Sequence, residues 1–382
     1  MEEKNLNVLI LSDSFYPVVG GRERAIDNLM LNLNNKCNCT LATLDIKING
    51  KSDKTRQYRV VKCKCIKVLK DCYLGVLNPK FKREIENEFK MGKVDIIHTE
   101  TKFKLANYGI KLAKKYNVPI VTSCHTDYDK IYKQTAPLVW KIVLNHTIKT
   151  INKMDYCFAV SDFLESKLKK LGVNVPIKVI PNGVDGTELS LSQLTSLANK
   201  TYKLENEKNI LICVARLSKT KNIDFLIKSL ALVKSDYKMI FIGGGEITKY
   251  KNICKKYGIL NKCLFTGAIY DKDILYSLFA RATLNLQPSV IESYGMTIDE
   301  TSFTSSPSLV VNGYATSSRI TDNVNGFVCE EDPKLFAKKI DELLKDKETL
   351  IRVGKTAKET LNQPWEKISE LYLTEYKKIC NK

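Results

Sequence analysis

Short apolar runs that alternate with helix-like segments constrain the fold of this chain more than any other feature. NVLILSD (7–13), VDIIHTE (94–100) and PIVTSCH (119–125) each contain a short apolar run, as strands buried on both faces of a sheet do. Segments with helical periodicity follow the first two runs. The pattern resumes at NILICVAR (209–216). This alternation predicts α/β architecture with doubly wound parallel sheets.

The alternation occurs in two series, which a polar segment separates. A chain of 382 residues is also too long for one ordinary core. We therefore predict an N-terminal domain over residues 1–185, a linker over 186–208 that can hold one short helix, and a C-terminal domain over 209–364. Ligands of open α/β sheets bind at the carboxyl ends of the strands, so we expect the active site in a cleft between the two domains.

The net charge of +19 is concentrated in the first half of the chain. Residues 1–180 contain 32 Lys and Arg against 18 Asp and Glu, which gives a net charge of +14. This asymmetry is typical either of a lysine-rich solvated surface or of attraction to an anionic membrane or acceptor. We do not expect nucleic acid as a partner, because no recognised binding motif accompanies the charge.

Several classes of protein are not expected from the composition. The twelve cysteines are scattered without a C-x-x-C pair, so we interpret them as reduced and mostly buried. The three histidines have no zinc-like spacing. No apolar run reaches the roughly 18 residues of a membrane span, and the first residues do not have the pattern of a secretory signal. We therefore expect a cytoplasmic enzyme.

The segment PSVIESYGMTIDE (288–300) has the strongest chemical signal. Glu292 and Glu300 lie eight residues apart, and we expect a loop that carries Glu292 followed by a helix that carries Glu300. The backbone N–H groups that would face an anion at the start of this helix belong to Gly295, Met296 and Thr297. The two carboxylates would bind sugar and ribose hydroxyls. By spacing alone, they could also be unrelated surface glutamates.

This segment resembles the Glu-x7-Glu motif of the retaining glycosyltransferase family 4, whose members have the GT-B fold of two facing Rossmann-like domains. Further segments match that family in the same order. They are SDSFYPVVGGRERAIDNL (12–29), VDIIHTE (94–100), VTSCHTDY (121–128), PNGVD (181–185), ARLSKTKN (215–222) and NVNGFVCEEDP (323–333). The resemblance extends over nearly the whole chain.

The resemblance implies roles that are also physically reasonable. Arg216 and Lys221 would neutralise charge on a leaving diphosphate, and His125 would contact the donor sugar or orient the acceptor. With Glu292, these are the expected catalytic residues. The expected donor-binding residues are Gly20, Gly21, Gly245, Ile269, Ser293, Tyr294, Gly295, Met296, Thr297 and Glu300. Ordinary alternatives remain: solvated cations, tight glycine turns and a satisfied core histidine.

No cofactor or metal is expected beyond the nucleotide-sugar donor. The two D-x-D strings, Asp127 to Asp129 and Asp271 to Asp273, do not follow the pattern of metal-dependent glycosyltransferases. Departures from the family pattern, such as Thr301 after the second glutamate, lie near the donor and leave its identity open.

The acceptor is expected at the basic N-terminal domain. HTDYDKIY (125–132) resembles diacylglycerol glucosyltransferases of the family, which implies a lipid or lipid-linked acceptor. The segment 136–153 would form one helix, either lying on an anionic membrane or packed on the sheet. The last helix, 365–380, would by resemblance return to the N-terminal domain.

Two other kinds of protein share this architecture. A GT-B enzyme such as a sugar-nucleotide epimerase would form product without an acceptor. A non-catalytic GT-B subunit would serve a partner enzyme, although both glutamates and both cations are present in this chain.

Overall fold

The computed structural model of the chain describes residues 6–18, 20–47, 56–69 and 72–381. It divides into two compact units. Unit 1 comprises Met1–Gly183 and Trp365–Lys382, and unit 2 comprises Val184–Pro364. The first boundary therefore lies two residues before the predicted end of the N-terminal domain at 185.

The secondary structure follows the expected alternation of strands and helices. The strands are β1 (Asn7–Ser12), β2 (Asn38–Leu44), β3 (Arg59–Cys63), β4 (Cys65–Leu69), β5 (Cys72–Gly75), β6 (Ile96–Thr99), β7 (Ile120–Cys124), β8 (Tyr156–Ala159), β9 (Ile177–Val179), β10 (Ile210–Val214), β11 (Lys238–Ile242), β12 (Cys263–Gly267), β13 (Leu284–Gln287), β14 (Ser308–Val311) and β15 (Phe327–Cys329). The helices are α1 (Gly21–Leu33), α2 (Pro79–Lys90), α3 (Lys104–Tyr116), α4 (Tyr128–Thr135), α5 (Trp140–Ile151), α6 (Asp162–Lys170), α7 (Leu191–Tyr202), α8 (Ile223–Leu230), α9 (Ile247–Lys256), α10 (Lys272–Arg281), α11 (Met296–Phe303), α12 (Pro333–Lys345), α13 (Lys347–Leu361) and α14 (Trp365–Cys380).

Unit 1 contains a parallel sheet in the order β3-β2-β1-β6-β7-β8-β9. Successive side chains of β1 point to opposite faces of the sheet. Val8 and Ile10 join a core with α1 and α14, whereas Leu9 and Leu11 join a core with α2 and α3. Helices therefore cover both faces, which confirms the predicted doubly wound form.

Unit 2 contains a second parallel sheet in the order β12-β11-β10-β13-β14-β15. As in β1, alternate side chains of its central strand β10 join cores on opposite faces of the sheet. Leu211 and Cys213 pack with α8, α9 and α12, and Ile210 and Ile212 pack with α7 and α10. This is the 3-2-1-4-5-6 strand order of Rossmann-like sheets.

The segment 186–208, predicted to be a linker, is instead part of unit 2. It contains α7, whose buried Leu194 and Ala198 lie one turn apart on the same face and join the core beneath α10. Ser190 and Gln193 form a reciprocal capping box at its start. Only these two residues of α7 are buried. The composition of the segment as a whole is polar, so it did not indicate that α7 packs into a core.

The helix predicted over 136–153 is α5, which is shorter at both ends because it begins at Trp140 and ends at Ile151. α4 ends at Thr135 and α5 begins at Trp140, with Pro137 in the break between them. Proline has no backbone N–H and cannot continue the hydrogen-bond ladder of α4. Ile148 and Ile151 at the far end of α5 are buried, so only that end packs into the unit. Within the residues that the structure describes, no helix combines the length and hydropathy that crossing a membrane requires.

α14 belongs to unit 1 although it follows unit 2 in the chain. Its Tyr376 hydroxyl lies 2.6 Å from His98 Nδ1 on β6, and His98 Nε2 lies 2.7 Å from Ser123 Oγ on β7. The Ser123 hydroxyl is in turn 3.2 Å from the Tyr372 hydroxyl of α14. Burial lowers the pKa of His98 to about 4, although Glu100 opposes this shift. The imidazole is therefore neutral at pH 7, and the Tyr376 hydroxyl can donate to Nδ1.

We expect Tyr376→Phe to lower the free energy of unfolding of unit 1 by about 1–3 kcal/mol, because His98 Nδ1 would become a buried acceptor without a partner. The two tryptophans, Trp140 and Trp365, both belong to unit 1, so their fluorescence in a urea titration reports on this unit. Tyr156→Phe is the matched control, since Tyr156 packs on the same core and is only half-buried. Equal stability of the two variants would contradict the role given to the Tyr376 hydroxyl.

Candidate active site

In each unit, the strand order places two loops side by side at the carboxyl edge of the sheet. In unit 1, the strand that follows β1 and the strand that follows β6 lie on opposite sides of this pair of strands. In unit 2, the same is true of the strands that follow β10 and β13. A crevice between two such loops is where ligands of open α/β sheets bind. In unit 2, Arg216 and Lys221 follow β10 and Glu292 follows β13. The sequence-predicted residues of this unit therefore lie at its strand-order reversal.

Lys221 and Glu292 contact each other across this reversal. Lys221 ends a single turn of 3-10 helix over Lys219–Lys221, and its Nζ donates a hydrogen bond to Glu292 Oε1. The two side chains are 25% and 19% exposed, so both remain within reach of a ligand. The structure thus brings together the predicted phosphate-binding cation and the predicted sugar-binding carboxylate.

Arg216 lies on a loop that the neighbouring glycine turn holds in place. Leu217 N donates to Gly244 O (2.7 Å), and Glu246 N donates to Leu217 O (2.9 Å). The Arg216 side chain is exposed at the carboxyl edge of the sheet. On the other side of Arg216, Ala215 N donates to Ile242 O (3.0 Å), so backbone bonds of both neighbours fix the position from which the guanidinium extends.

Two of the three glycines in this turn are needed for the fold itself. Gly243 and Gly245 have φ angles of +142° and +117°, which side-chain-bearing residues rarely adopt. A Cβ at Gly243 would lie 2.0 Å from Ala215 O, and one at Gly245 would lie 2.3 Å from Leu217 O. The close approach of the β11 loop to the β10 loop is enough to explain why residue 245 is a glycine. Contact with a nucleotide-sugar is not needed to explain it.

The segment from Glu292 to Glu300 has the local structure that its sequence predicts. β13 ends at Gln287, the loop carries Glu292, and Gly295 with φ +83° caps the N-terminus of α11. Glu300 lies on the second turn of α11 and is buried. The first-turn N–H groups of Met296 and Thr297 have no carbonyl within the helix to pair with. The remaining predicted residues of unit 2 are Ser293 and Tyr294, which are buried in this loop, and Ile269, which is half-buried after β12.

Arg319, which was not predicted from the sequence, donates hydrogen bonds to this loop and to α11. Its Nη2 donates to Asp299 Oδ1 (2.6 Å) and to the Tyr294 hydroxyl (3.0 Å), and its Nη1 donates to Tyr294 O (3.0 Å). The guanidinium also lies 3.6 Å from the centre of the Tyr294 ring. Burial raises the pKa of Asp299, whereas Arg319 lowers it. Arg319 lies in a Ser/Thr-rich stretch in which no sequence signal distinguishes it.

In unit 1, Asp13 joins the loops that follow β1 and β6. Its carboxylate accepts hydrogen bonds from Thr101 Oγ1 (2.8 Å) and Leu105 N (3.1 Å). Burial raises the pKa of Asp13, although these two hydrogen bonds lower it in part. The carboxyl edge at this strand-order reversal is therefore a rigid polar structure.

Gly20 and Gly21 lie at the start of α1, on the loop that follows β1. Glu23 accepts hydrogen bonds from Ser14 Oγ (2.7 Å) and Arg22 Nη2 (2.8 Å) beside them. A Cβ at Gly20 would lie 2.6 Å from Glu23 Oε2. The loop that carries the two glycines therefore adjoins an ion pair of Arg22 and Glu23.

His125 and Glu100 form a buried pair on adjacent strands of unit 1. His125 follows β7, Glu100 follows β6, and His125 Nε2 lies 2.8 Å from Glu100 Oε2. Burial alone would raise the pKa of Glu100, but His98, His125 and the hydrogen bond from His125 lower it to about 2. Glu100 is therefore an ionised carboxylate at pH 7 despite its burial.

The pair lines a cavity of about 170 Å³. The other lining residues are Arg22, Thr101, Lys102, Phe103, Thr126, Tyr128, Ile131 and Tyr132. The signal for Glu100 was present in the sequence, because polar residues directly after two neighbouring strands meet at one edge of a sheet. His125 was predicted because it directly follows the strand β7, and Glu100 directly follows the neighbouring strand β6.

The two D-x-D strings have local partners in the protein. Asp127 accepts from Lys130 N at the start of α4 and pairs with Lys167, and Asp129 pairs with Lys133. Asp271 accepts from Ile274 N at the start of α10.

Asp273 accepts a hydrogen bond from the Thr187 hydroxyl. All four carboxylates therefore have capping or pairing roles that do not require a metal.

The arrangement in unit 2 suits a phosphorylated, hydroxyl-bearing ligand. Two cations on the β10 loop can neutralise phosphate oxygens, and the N-terminus of α11 adds N–H donors. Glu292 supplies an acceptor for hydroxyl groups next to Lys221. The cavity of unit 1 adds a carboxylate, an imidazole and cations at its own carboxyl edge.

The chain is similar to known proteins in sequence and in fold. The chain is 22% identical over 338 residues to an alpha-monoglucosyldiacylglycerol synthase of Streptococcus pneumoniae, which covers 84% of this chain and 74% of that protein. It is 24% identical over 273 residues to an enzyme of the same name from Acholeplasma laidlawii, covering 66% and 65%. HepE of Anabaena, solved in complex with UDP and glucose, superimposes with a TM-score of 0.77 at 16% identity, over 98% of this chain and 100% of that one. That likeness confirms the GT-B fold.

Two family models together match most of the chain. The model described as Glycosyltransferase Family 4 matches residues 19–188, and the model described as Glycosyl transferases group 1 matches residues 197–360. The first match lies mostly in unit 1 and includes every strand of its parallel sheet except β1, and the second includes all strands of the unit 2 sheet. The predicted resemblance is confirmed, and the chain belongs to the family 4 glycosyltransferases.

Proposed function

We propose that this glycosyltransferase transfers a hexose from a UDP-sugar to a lipid, lipid-linked or glycan acceptor, with retention of anomeric configuration, at the cytoplasmic face of a membrane. The observation that carries the proposal is the contact between Lys221 and Glu292 at the strand-order reversal of unit 2. In the proposal, Lys221 binds the diphosphate and the adjacent Glu292 binds the sugar.

The donor half of the proposal rests on charge. Arg216 and Lys221 would neutralise the leaving diphosphate, and Glu300 on α11 would bind the ribose hydroxyls. A UDP donor is supported by the UDP and glucose that the Anabaena protein binds. Because the two side-chain cations serve the electrostatic role, we propose that no metal is required.

Retention is proposed to proceed by attack on the same face of the sugar from which the diphosphate leaves. The bond between the anomeric carbon and the diphosphate oxygen breaks, and a bond to the acceptor oxygen forms on that face. The acceptor proton passes to an oxygen of the leaving diphosphate. The side chains of this chain then act through positioning and charge, with Glu292 holding the sugar.

A lipid acceptor is supported by the relatives and by one exposed surface of unit 1. The two relatives reported above are named as synthases of a glucosylated diacylglycerol. In the turn before α5 and on its first turn, Leu138 is 97% exposed and Ile142 is 71% exposed. Lys141 is exposed between them, within the half of the chain that has the +14 charge. Apolar side chains with adjacent lysines suit an anionic bilayer.

In the assay that tests the proposal, UDP release from UDP-glucose is measured with and without diacylglycerol in mixed micelles. We expect release to depend on the acceptor, the new glycosidic bond to be α by NMR, and EDTA to leave the rate unchanged. Product without acceptor would indicate an epimerase or hydrolase. Loss of activity in EDTA that Mg²⁺ restores would contradict the metal-independent mechanism.

We expect Ile142→Ser to weaken sedimentation with anionic vesicles by about tenfold, because burial of one isoleucine contributes about 1.5–3 kcal/mol. Ile351→Ser is the matched control, since Ile351 is 72% exposed on α13 of unit 2. Binding should also weaken in high salt and on neutral vesicles. If both variants sediment like the unsubstituted protein, this surface does not contact the membrane.

A further inference from the structure

We propose that Glu100 is a positioning residue that fixes the tautomer of His125, so that His125 Nδ1 accepts a hydrogen bond from a substrate hydroxyl. The identity of that substrate rests on the proposed function, whereas the tautomer does not. Neither the family models nor the names of the relatives assign any role to Glu100.

The donor and acceptor in the pair follow from the chemistry of the two groups. Glu100 is 1% exposed, and its ionised carboxylate can only accept hydrogen bonds. His125 Nε2, 2.8 Å from Glu100 Oε2, must therefore carry the proton. In a neutral imidazole, Nδ1 is then an unprotonated acceptor.

Glu100 is held in position from its other side as well. Its Oε1 lies 3.5 Å from His98 Nε2, which also lies 2.7 Å from Ser123 Oγ. Tyr376 of α14 can donate to His98 Nδ1, which leaves the proton of His98 on Nε2 and directs it towards Ser123 and Glu100. Lys102, which is buried, donates to Ser123 O (2.6 Å) and adds a positive charge nearby. The carboxylate therefore lies between His125 on one side and the hydrogen-bonded His98 on the other.

His125 Nδ1 is available to a ligand. The His125 side chain is only 8% exposed, and its Nδ1 is buried with no hydrogen-bond partner among the described residues. His125 also lines the cavity of about 170 Å³, several times the roughly 30 Å³ that one water occupies. A buried acceptor without a partner is unfavourable, so a hydroxyl that enters the cavity can pair with it.

The tautomer can be observed directly, because the chain has only three histidines. Histidine-selective ¹⁵N labelling gives three imidazoles, and His146→Gln and His125→Gln assign them. At pH 8 we expect His125 to show a protonated Nε2 and an unprotonated Nδ1. In Glu100→Ala the two nitrogens should move towards averaged shifts, whereas Glu100→Gln, whose amide oxygen can still accept from Nε2, should retain most of the wild-type pattern.

Transfer rates are measured on the same variants. We expect Glu100→Ala to lower kcat by about tenfold, since one hydrogen bond is lost, and Glu100→Gln to lower it less. Glu88→Gln is the control, because Glu88 is a buried carboxylate of unit 1 that pairs with Arg59 on β3 and does not line the cavity. It should match wild type in both readouts.

Two results would overturn the proposal. One is a wild-type spectrum in which His125 carries its proton on Nδ1. The other is a Glu100→Ala variant whose His125 signals and kcat are unchanged. A wild-type protein without transferase activity would count against the proposed function, and the NMR pattern would still decide whether Glu100 fixes the tautomer.

Discussion

The strand order of the two parallel sheets is the constraint on which the rest of the structure depends. Because the chain reverses direction between β10 and β13, two loops that are about 70 residues apart in sequence end side by side, and Lys221 contacts Glu292. On the other side of β10, the backbone of the β11 loop lies against the β10 loop. Gly243 and Gly245 permit it, since a Cβ at either position would collide with a carbonyl oxygen.

Both sheets have charged side chains at their carboxyl edges, but these side chains differ in their exposure to solvent. The Lys221 and Glu292 pair of unit 2 is partly exposed, so a charged ligand can compete for either partner at modest cost. Glu100 of unit 1 is almost fully buried, and its pKa of about 2 keeps it ionised against the cost of burial. An exposed pair suits exchange of contacts with a substrate, whereas a buried one suits holding a side chain in one orientation.

The parts of this protein that sequence could predict are those determined by local pattern. The strand, loop and helix around Glu292 and Glu300 follow from an apolar run, a glycine and a helix start within about fifteen residues. The assignment of 186–208 to a linker and the predicted start of α5 were wrong, because a two-residue apolar stripe and a single proline hardly change the composition of a segment. Arg319 could not be found at all, since its partners are set by a tertiary contact with Asp299 and Tyr294.

The central claim is that the β10 and β13 loops of unit 2 bind the diphosphate of the donor, and calorimetric titration of UDP tests it most directly. Lys221→Ala should weaken the Kd for UDP by about tenfold to a hundredfold, because a charge-assisted hydrogen bond contributes about 1.5–3 kcal/mol. Lys219→Ala removes an exposed lysine from the same turn and should bind UDP like wild type. Neither change should affect binding of uridine, which has no phosphate. Equal UDP affinity of Lys221→Ala and wild type would contradict the account.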